Sequence, residues 1–530
     1  MRLRMHCFLF ILGIFYGILL LSWQAFSINE IDHDDAVSYL AATGHQGLYE
    51  TDIPVGQWVP AIKWKAYWTP SEFWNFKQIG YDLAFHDIHP PLYFWLLHIW
   101  LFIIGMDISS AALLNIIFLV LSVVFIYYSC IELRSDSRTA ITASLLWFLS
   151  GSTLSVEVLV RQYCLLGLTV AFFLYSVLRF LNKESIKTNI CLFVSIVFGL
   201  LTHYYFILVF FALIFIFIII LIKEKKFSQL KQMIISSVSA ILFSLIIHPH
   251  FYNSFIIQQN QRTAISLATL IFRLKNVINV LCEFFIPIYF VQNFVIIIVI
   301  LLSIIASIMM FFWLKKKRAI LSQQFISLNW LPIASALTIS LMVFGLYIFN
   351  FAPVYAMTAR YIMILSPIYF VLLSQILNLI YVTKRKPALI LFICLCVSQT
   401  IYGSSTVYQY VSKAKKQYKT ERILKEDEIP IIIDTLARGV IPAIIWHIND
   451  KTQIYAAYQK DILKEFPDIS SRNNTYLIYI SHLRYGKKTG NNKENRKTII
   501  NEIIKLEYKL IYNGYTFTGG NINIFEKIKK

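Results

Sequence analysis

The sequence predicts an all-α polytopic membrane protein carrying a small C-terminal α/β extracytoplasmic domain, and three observations lead there. Of 530 residues 58% are hydrophobic and 15% charged, with a mean hydropathy of +0.63; an ordinary soluble chain has about half apolar and about a quarter charged residues. Runs such as Phe206 to Leu221 and Val295 to Trp313 carry no charge and approach or reach the roughly 20 residues a spanning helix needs. Lipid offers the backbone no hydrogen bonds, so each run has to satisfy its own amides as a helix. The third observation is the polar stretch 405–530, where Lys/Glu-rich helical patterns alternate with strand-like runs at Tyr476 to Ile480 and Asn521 to Phe525.

The net charge of +19 does not mark a nucleic-acid binder, because the basic residues cluster between apolar runs: Arg2 and Arg4, Lys223 to Lys226, Lys315 to Arg318, Lys384 to Lys386. That is the positive-inside pattern of cytoplasmic loops. The seven cysteines lie mainly within apolar runs and suggest neither a disulfide framework nor a CxxC metal site. The stretch Cys7 to Trp23 follows Arg2 and Arg4 without a small-x-small cleavage signal at its exit, and is expected to stay as a first transmembrane helix.

With the N-terminus inside, that helix delivers residues 28–107 to the outer face as a first loop with interfacial helices. Further spans are expected near 108–131, 137–153, 159–181, 188–202, 204–222, 231–248, 291–313, 325–349, 361–382 and 387–404, for about 11 in all. Pro90 to Gly105 does not fit as another. Were it to cross, Glu132 to Arg138 and every later basic cluster would fall outside, and its roughly 16 residues suit a helix lying in the outer leaflet. A miscounted span elsewhere is the competing reading. Parity then places Ser150 to Arg161, His203-Tyr204-Tyr205, His248 to Phe290, Asn350 to Tyr361 and the tail on the outer side, dividing the chain into a transmembrane domain, 1–404, and a C-terminal domain, 405–530. No inverted pair of broken helices is visible, which weighs against a secondary transporter.

The residues with chemistry gather at that outer side. Asp32, Asp34 and Asp35 follow directly on a membrane helix, where a carboxylate can take the proton of an attacking hydroxyl and neighbouring carboxylates raise each other's pKa. N-capping of a helix from Ala36 is the alternative. His89 precedes Pro90 and Pro91, which suit a first helical turn, and capping explains it equally well. Arg161, in Val160-Arg161-Gln162-Tyr163, sits so near hydrocarbon that it needs an anionic partner. A lipid phosphate can supply one through bidentate bonds; so can Glu157, one turn earlier. Arg360-Tyr361 repeats the arrangement with no acid nearby in sequence, interface anchoring being its alternative. His203 can bond a phosphate or end a helix. The polar loop near 249–290, with Gln258 to Arg262, is a lid over a carrier lipid or an ordinary connection.

Taken in order, Asp34-Asp35-Ala36-Val37-Ser38-Tyr39, His89-Pro90-Pro91-Leu92-Tyr93, Arg161-Gln162-Tyr163, Thr202-His203-Tyr204 and Ala359-Arg360-Tyr361 resemble the polyprenyl- or dolichyl-phosphate-sugar-dependent glycosyltransferases of the GT-C fold. That family includes the protein O-mannosyltransferases and the bacterial aminoarabinose transferases that modify lipid A. The resemblance covers roughly residues 1–370, most strongly the first 210. It implies that Asp34 is the catalytic base and Asp35 its acidic neighbour, although the family usually has Asp-Glu where this chain has Asp-Asp. It also implies that Arg161, His203, Arg360 and Tyr361 contact the donor phosphate, and that His89, Tyr93, Tyr163 and Tyr204 lie near acceptor or donor. The partners would be a polyprenyl-phosphate sugar donor, membrane lipid and a glycolipid, polysaccharide or protein acceptor, with inversion at the anomeric carbon.

No cofactor is expected, since Asp34, Asp35, His33 and His89 offer metal ligands in no compact spacing. A lipid-linked-sugar flippase is the rival reading, but it predicts polar residues spread through the spans rather than gathered on one face. A structural or assembly protein would leave Arg161 and Arg360 without a role. The compartment is open between a bacterial inner membrane and an endoplasmic reticulum; the Lys- and Ile-rich, Ala-poor composition suggests an AT-rich genome and, with the short tail, favours a multi-pass protein of the bacterial inner membrane, its site facing the periplasm or cell exterior.

Overall fold

The computed structural model describes residues 2–28, 31–253, 266, 327–341, 359–426, 428–469, 475–482, 492–515 and 520–528. It is predominantly helical, and the chain is an integral membrane protein. Six segments among the described residues are long and apolar enough to cross a membrane: Cys7–Ala25, Ser110–Glu132, Tyr163–Asn182, Phe206–Lys223, Phe227–Ile247 and Arg385–Ser412. The expected span 291–313 lies outside the described residues, as does the 249–290 loop apart from 249–253 and 266; the span 325–349 is described over Ser327–Leu341.

Helix α1, Arg2–Ala25, is followed by a first loop built from short pieces: α2 (His33–Thr43), α3 (Gln46–Thr51), β1 (Trp58–Pro60), α4 (Ala61–Lys65), α5 (Phe76–Phe85) and α6 (Leu92–Ile104). The carboxylate of Asp32 accepts the His33 amide and caps α2, so Asp34 and Asp35 fall in its first turn. Gly44 ends α2 in the left-handed conformation at φ 73°, which a side chain disfavours. Pro91 precedes α6, whose 13 residues extend about 20 Å at 1.5 Å each, short of the roughly 30 Å hydrocarbon core. Its His98 ring lies between the carbonyls of Ala42 (2.8 Å) and Glu72 (3.0 Å), tying α6 to the loop beneath it.

The bundle continues with α7 (Ser110–Glu132), α8 (Ser137–Phe148), α9 (Gly151–Val156), α10 (Tyr163–Asn182), α11 (Ile186–Thr202), α12 (Phe206–Lys223) and α13 (Phe227–Ile247). Two expected boundaries are corrected. The helix expected over 137–153 stops at Phe148, because the Ser150 hydroxyl accepts the Thr153 amide and starts a new helix. The one expected from 159 begins at Tyr163, after a non-helical break that presents Arg161. Ala359–Ile364 forms a short 3-10 helix before Ser366–Thr383, and it carries Arg360 and Tyr361.

A six-stranded mixed sheet completes the fold, in the order β1-β3-β2-β4-β6-β5. Its strands are β2 (Ile431–Ile433), β3 (Gln453–Ala456), β4 (Tyr476–Ser481), β5 (Tyr508–Tyr515) and β6 (Asn521–Lys527) besides β1. β2 runs parallel to β3 and to β4, and its three isoleucines are all buried, the continuous apolar run of a strand covered on both faces. The edge strand β1 comes from the first loop, pairing Trp58 with Tyr455 and Pro60 with Gln453; an edge is where a proline is tolerated. The helix Arg385–Glu426 continues without a break through residue 405. The sheet and the first loop are therefore joined by hydrogen bonding as well as by chain.

Candidate functional site

Two separate turns of the bundle converge on α2. The break between α9 and α10 is held open by Asn115, whose amide donates to the carbonyls of Glu157 and Leu159, both at 2.8 Å. Asp35 completes the hold by accepting the Val160 amide at 2.8 Å. The next residue, Arg161, is thereby aimed at Asp34, and its Nη2 lies 3.1 Å from Asp34 Oδ1. From the 3-10 turn Arg360 Nη1 donates to the other oxygen, Oδ2, also at 3.1 Å. The Arg360 guanidinium lies over the rings of Tyr163 and Tyr361 at 5.4 and 5.5 Å, a cation–π seat that fixes its plane.

The two aspartates consequently have opposite electrostatics. Burial works to raise the Asp34 pKa, but Arg161 and Arg360 outweigh it and hold the carboxyl down at about 2. Asp35 is fully enclosed, and burial pushes it up to about 7 despite the Val160 amide. Two carboxylates adjacent in sequence thus divide the work: one is the ionised partner of both arginines, and the other shapes the turn that delivers Arg161.

The remaining expected residues are brought to the same place with one exception. His89 Nδ1 accepts from the Gln162 side-chain amide at 2.9 Å, with Asp87 3.7 Å from its Nε2; burial depresses its pKa to about 4, so the ring is neutral at physiological pH. His203 packs its ring on Tyr163 (5.7 Å) and near His89 (6.2 Å), while its Nδ1 accepts the Tyr205 amide. Tyr163 meets Tyr361 edge-on at 5.7 Å. Tyr93 is buried beside Phe94, its hydroxyl without a hydrogen-bond partner among the described residues. Tyr204 instead joins another group, its hydroxyl 3.5 Å from His248 Nε2 and its ring on Phe251. Gln162 and Asp87 belong to the site although sequence reasoning did not single them out; Gln162 adjoins Arg161 and Asp87 lies two residues before His89.

Arg161 pairs with Asp34 and not with Glu157. Glu157 is fully buried with neither carboxylate oxygen bonded among the described residues, and burial raises its pKa well above the ordinary 4.5. The folded protein keeps this group protonated, so its stability is fully present below pH 4.5 and falls as pH rises toward the folded pKa. Glu157→Gln, which cannot ionise, is expected to melt with wild type near pH 4 and above it at pH 8. An identical pH dependence of Tm in the two proteins would overturn this reading.

Several polar atoms around the Asp34 pair are buried and unbonded among the described residues: Arg161 Nη1, Arg360 Nε, Gln162 Oε1 and Asp87 Oδ2, besides Tyr93 Oη. Within the same residues no group of three or more His, Cys, Asp or Glu side chains is placed to hold a metal ion.

A family model for dolichyl-phosphate-mannose-protein mannosyltransferases matches residues 88–252, the stretch that holds His89, Arg161 and His203. No curated protein matches the sequence. Among solved structures, ArnT from Cupriavidus metallidurans bound to undecaprenyl phosphate superposes with a TM-score of 0.50 at 11% identity, covering 97% of this chain and 97% of that one. The same protein in its apo state gives 0.50 and 11%, covering 99% of this chain and 98% of that one. The shared fold is the GT-C fold of membrane glycosyltransferases.

Proposed function

We propose that this GT-C chain is a glycosyltransferase that moves a sugar from a polyprenyl-phosphate donor to a hydroxyl acceptor, with Asp34 as base and Arg161 and Arg360 on the donor phosphate. One observation supports the reading most. Two arginines share a single carboxylate, yet each keeps a buried N–H with no protein acceptor among the described residues. An unsatisfied buried donor costs about 1–3 kcal/mol, and more if charged; a phosphate oxygen removes that cost and accepts in the bidentate geometry a guanidinium favours. The match to an ArnT structure that holds undecaprenyl phosphate supports a polyprenyl carrier.

The donor phosphate takes guanidinium N–H groups away from Asp34. Without its two counter-charges the half-buried Asp34 carboxylate becomes a better base. The acceptor hydroxyl gives its proton to Asp34 as its oxygen bonds to the anomeric carbon. The bond from that carbon to the phosphate oxygen breaks, and the electron pair leaves on polyprenyl phosphate, stabilised by the arginines as charge develops. Direct displacement of this kind inverts the anomeric configuration. Phosphate leaves without a proton, so the general acid that glycoside hydrolysis needs has no counterpart. No metal is called on, since the arginines place positive charge at the leaving group. Asp35 supports the turn, Tyr361 and Tyr163 seat Arg360, and the unbonded polar atoms of Gln162, Tyr93 and Asp87, beside neutral His89, are the groups offered to sugar hydroxyls. The acceptor is a glycolipid, polysaccharide or protein hydroxyl, and the setting a bacterial inner membrane with the site facing outward.

The test uses the purified protein in lipid, a panel of polyprenyl-phosphate sugars and membrane extract as acceptor. Wild type is expected to release free polyprenyl phosphate from one donor, and Asp34→Asn to do so about 1,000-fold more slowly, the scale of losing a positioned base. Unchanged turnover in Asp34→Asn, or no donor consumed by wild type, refutes the proposal. Movement of the carrier between leaflets without consumption would make the chain a flippase.

A further inference from the structure

The C-terminal sheet sends one loop to α2, and that loop is tied down along its whole length. At its root Asp434 is buried, its carboxylate accepting from the Tyr479 hydroxyl (2.8 Å), the Gln459 amide (2.5 Å) and the His482 backbone N–H (2.8 Å). Two residues on, the Leu436 carbonyl accepts from the buried Tyr49 hydroxyl at 3.1 Å. Arg438 then donates to Glu50 Oε1 (3.3 Å) and to the His86 carbonyl (3.2 Å). Glu50 in turn holds the His86 ring at 2.8 Å. The loop ends at Gly439, against His33, the first residue of α2. A Cβ at Gly439 would stand 1.7 Å from His33 Nδ1 and 2.5 Å from its Cγ, so no side chain fits there while the ring keeps its place.

The position of this contact matters more than its size. His33 precedes Asp34 and shares its helical turn, so a shift of its ring is passed on beside Asp34. The loop packs on the first loop through Tyr49, Glu50 and His86, and it also reaches the residue beside Asp34.

We infer that the loop Asp434–Gly439 is a wall of the active site contributed by the C-terminal sheet, and that Gly439 is a positioning residue: having no side chain, it leaves the His33 ring its place, whereas a side chain there would push the ring, and with it the first turn of α2, so that Asp34 no longer points at Arg161 and Arg360. This rests on the proposal that Asp34 acts at this site. It also explains why a strand of the first loop, β1, is built into the C-terminal sheet, since that pairing keeps loop and helix in register.

The experiment compares wild type, Gly439→Ala and the double variant Gly439→Ala/His33→Ala, full length in lipid, for donor turnover and for binding of polyprenyl phosphate. Gly439→Ala is expected to lower kcat on the order of 100-fold, as displacements of about 1 Å at a reacting group do, with KM for the donor changed less than about threefold. Trimming His33 in the same chain is expected to restore most of the rate, because the overlap is then gone; a merely unfolded variant would not be rescued. Wild-type kcat in Gly439→Ala, or no recovery in the double variant, overturns the inference. If wild type itself consumes no donor, the catalytic proposal has failed instead. The seat is then decided by a His33→Cys/Gly439→Cys pair, where oxidation to a disulfide upholds the contact and persistent free thiols overturn it.

Discussion

Asp34→Asn is expected to bind a polyprenyl phosphate about tenfold more tightly than wild type, while losing transfer; a factor of this size corresponds to roughly one charge-assisted hydrogen bond. The reason is competition. In the donor-free protein both oxygens of Asp34 are already occupied, one by Arg161 and one by Arg360, each at 3.1 Å. A phosphate has to displace an anion from the cations it wants. Asparagine keeps the shape and removes the competitor's charge. Because Arg161 and Arg360 hold the Asp34 carboxyl well below the usual carboxylate range, it stays charged across ordinary buffers, and the substitution tests this where a pH titration does not. Equilibrium binding of radiolabelled undecaprenyl phosphate to the two proteins in nanodiscs is the measurement. Equal or weaker binding by Asp34→Asn would mean that the phosphate does not use these guanidinium groups.

Arg161→Ala is expected to weaken the same lipid phosphate on the order of 100-fold, within the 2–5 kcal/mol typical of removing one partner from a buried charge pair. Arg161 has a side chain 9% exposed against 24% for Arg360, so less water stands ready to replace it. Arg360→Ala is accordingly expected to lose only about tenfold. Lysine at 161 would recover part of the affinity, since it carries the charge but not the planar fork. In the Arg161→Ala background Asp34→Asn is expected to tighten binding by less than the tenfold it gives alone, because one of the two cations that Asp34 occupies is already gone. The binding assay, together with Tm as a control for folding, decides these. Wild-type affinity in Arg161→Ala would remove the phosphate assignment.

Much of the bundle was legible in the chain because lipid leaves the backbone one solution. Charge-free runs had to be helices, and their lengths separated Ser110–Glu132 from the 13-residue α6. Charge parity brought Arg161, His203 and Arg360 to one face, where they now stand around Asp34. Helix ends were less legible. The break before Tyr163 depends on Asn115 and Asp35 reaching it from 42 and 125 residues away, and no local propensity records such a partner. Glu157 illustrates the same limit from the other side: one helical turn from Arg161, it was the alternative counter-ion to a lipid phosphate, and a carboxylate distant in sequence, Asp34, stands in that place.

The strands showed a similar division. Tyr476 to Ile480 and Asn521 to Phe525 carry their own β-branched and aromatic signal, and both lie in strands. Trp58–Pro60 carries almost none, being three residues ending in proline, and exists as a strand because Gln453–Ala456 offers an open edge. The glycine at 439 is silent in sequence for the same reason, since only the assembled fold brings His33 against it.

Alone, the sequence determined that this chain lives in a membrane, which segments are helical and which side chains are too polar for where they lie, because burying an unpaired charge or backbone amide in hydrocarbon is prohibitive. Tertiary structure decided who pairs with whom: that Arg161 and Arg360 share Asp34, that Asp35 holds a turn, and that the C-terminal sheet closes on α2. Those choices depend on distances between residues far apart in the chain, and a cost of burial states that a partner must exist without saying where it comes from.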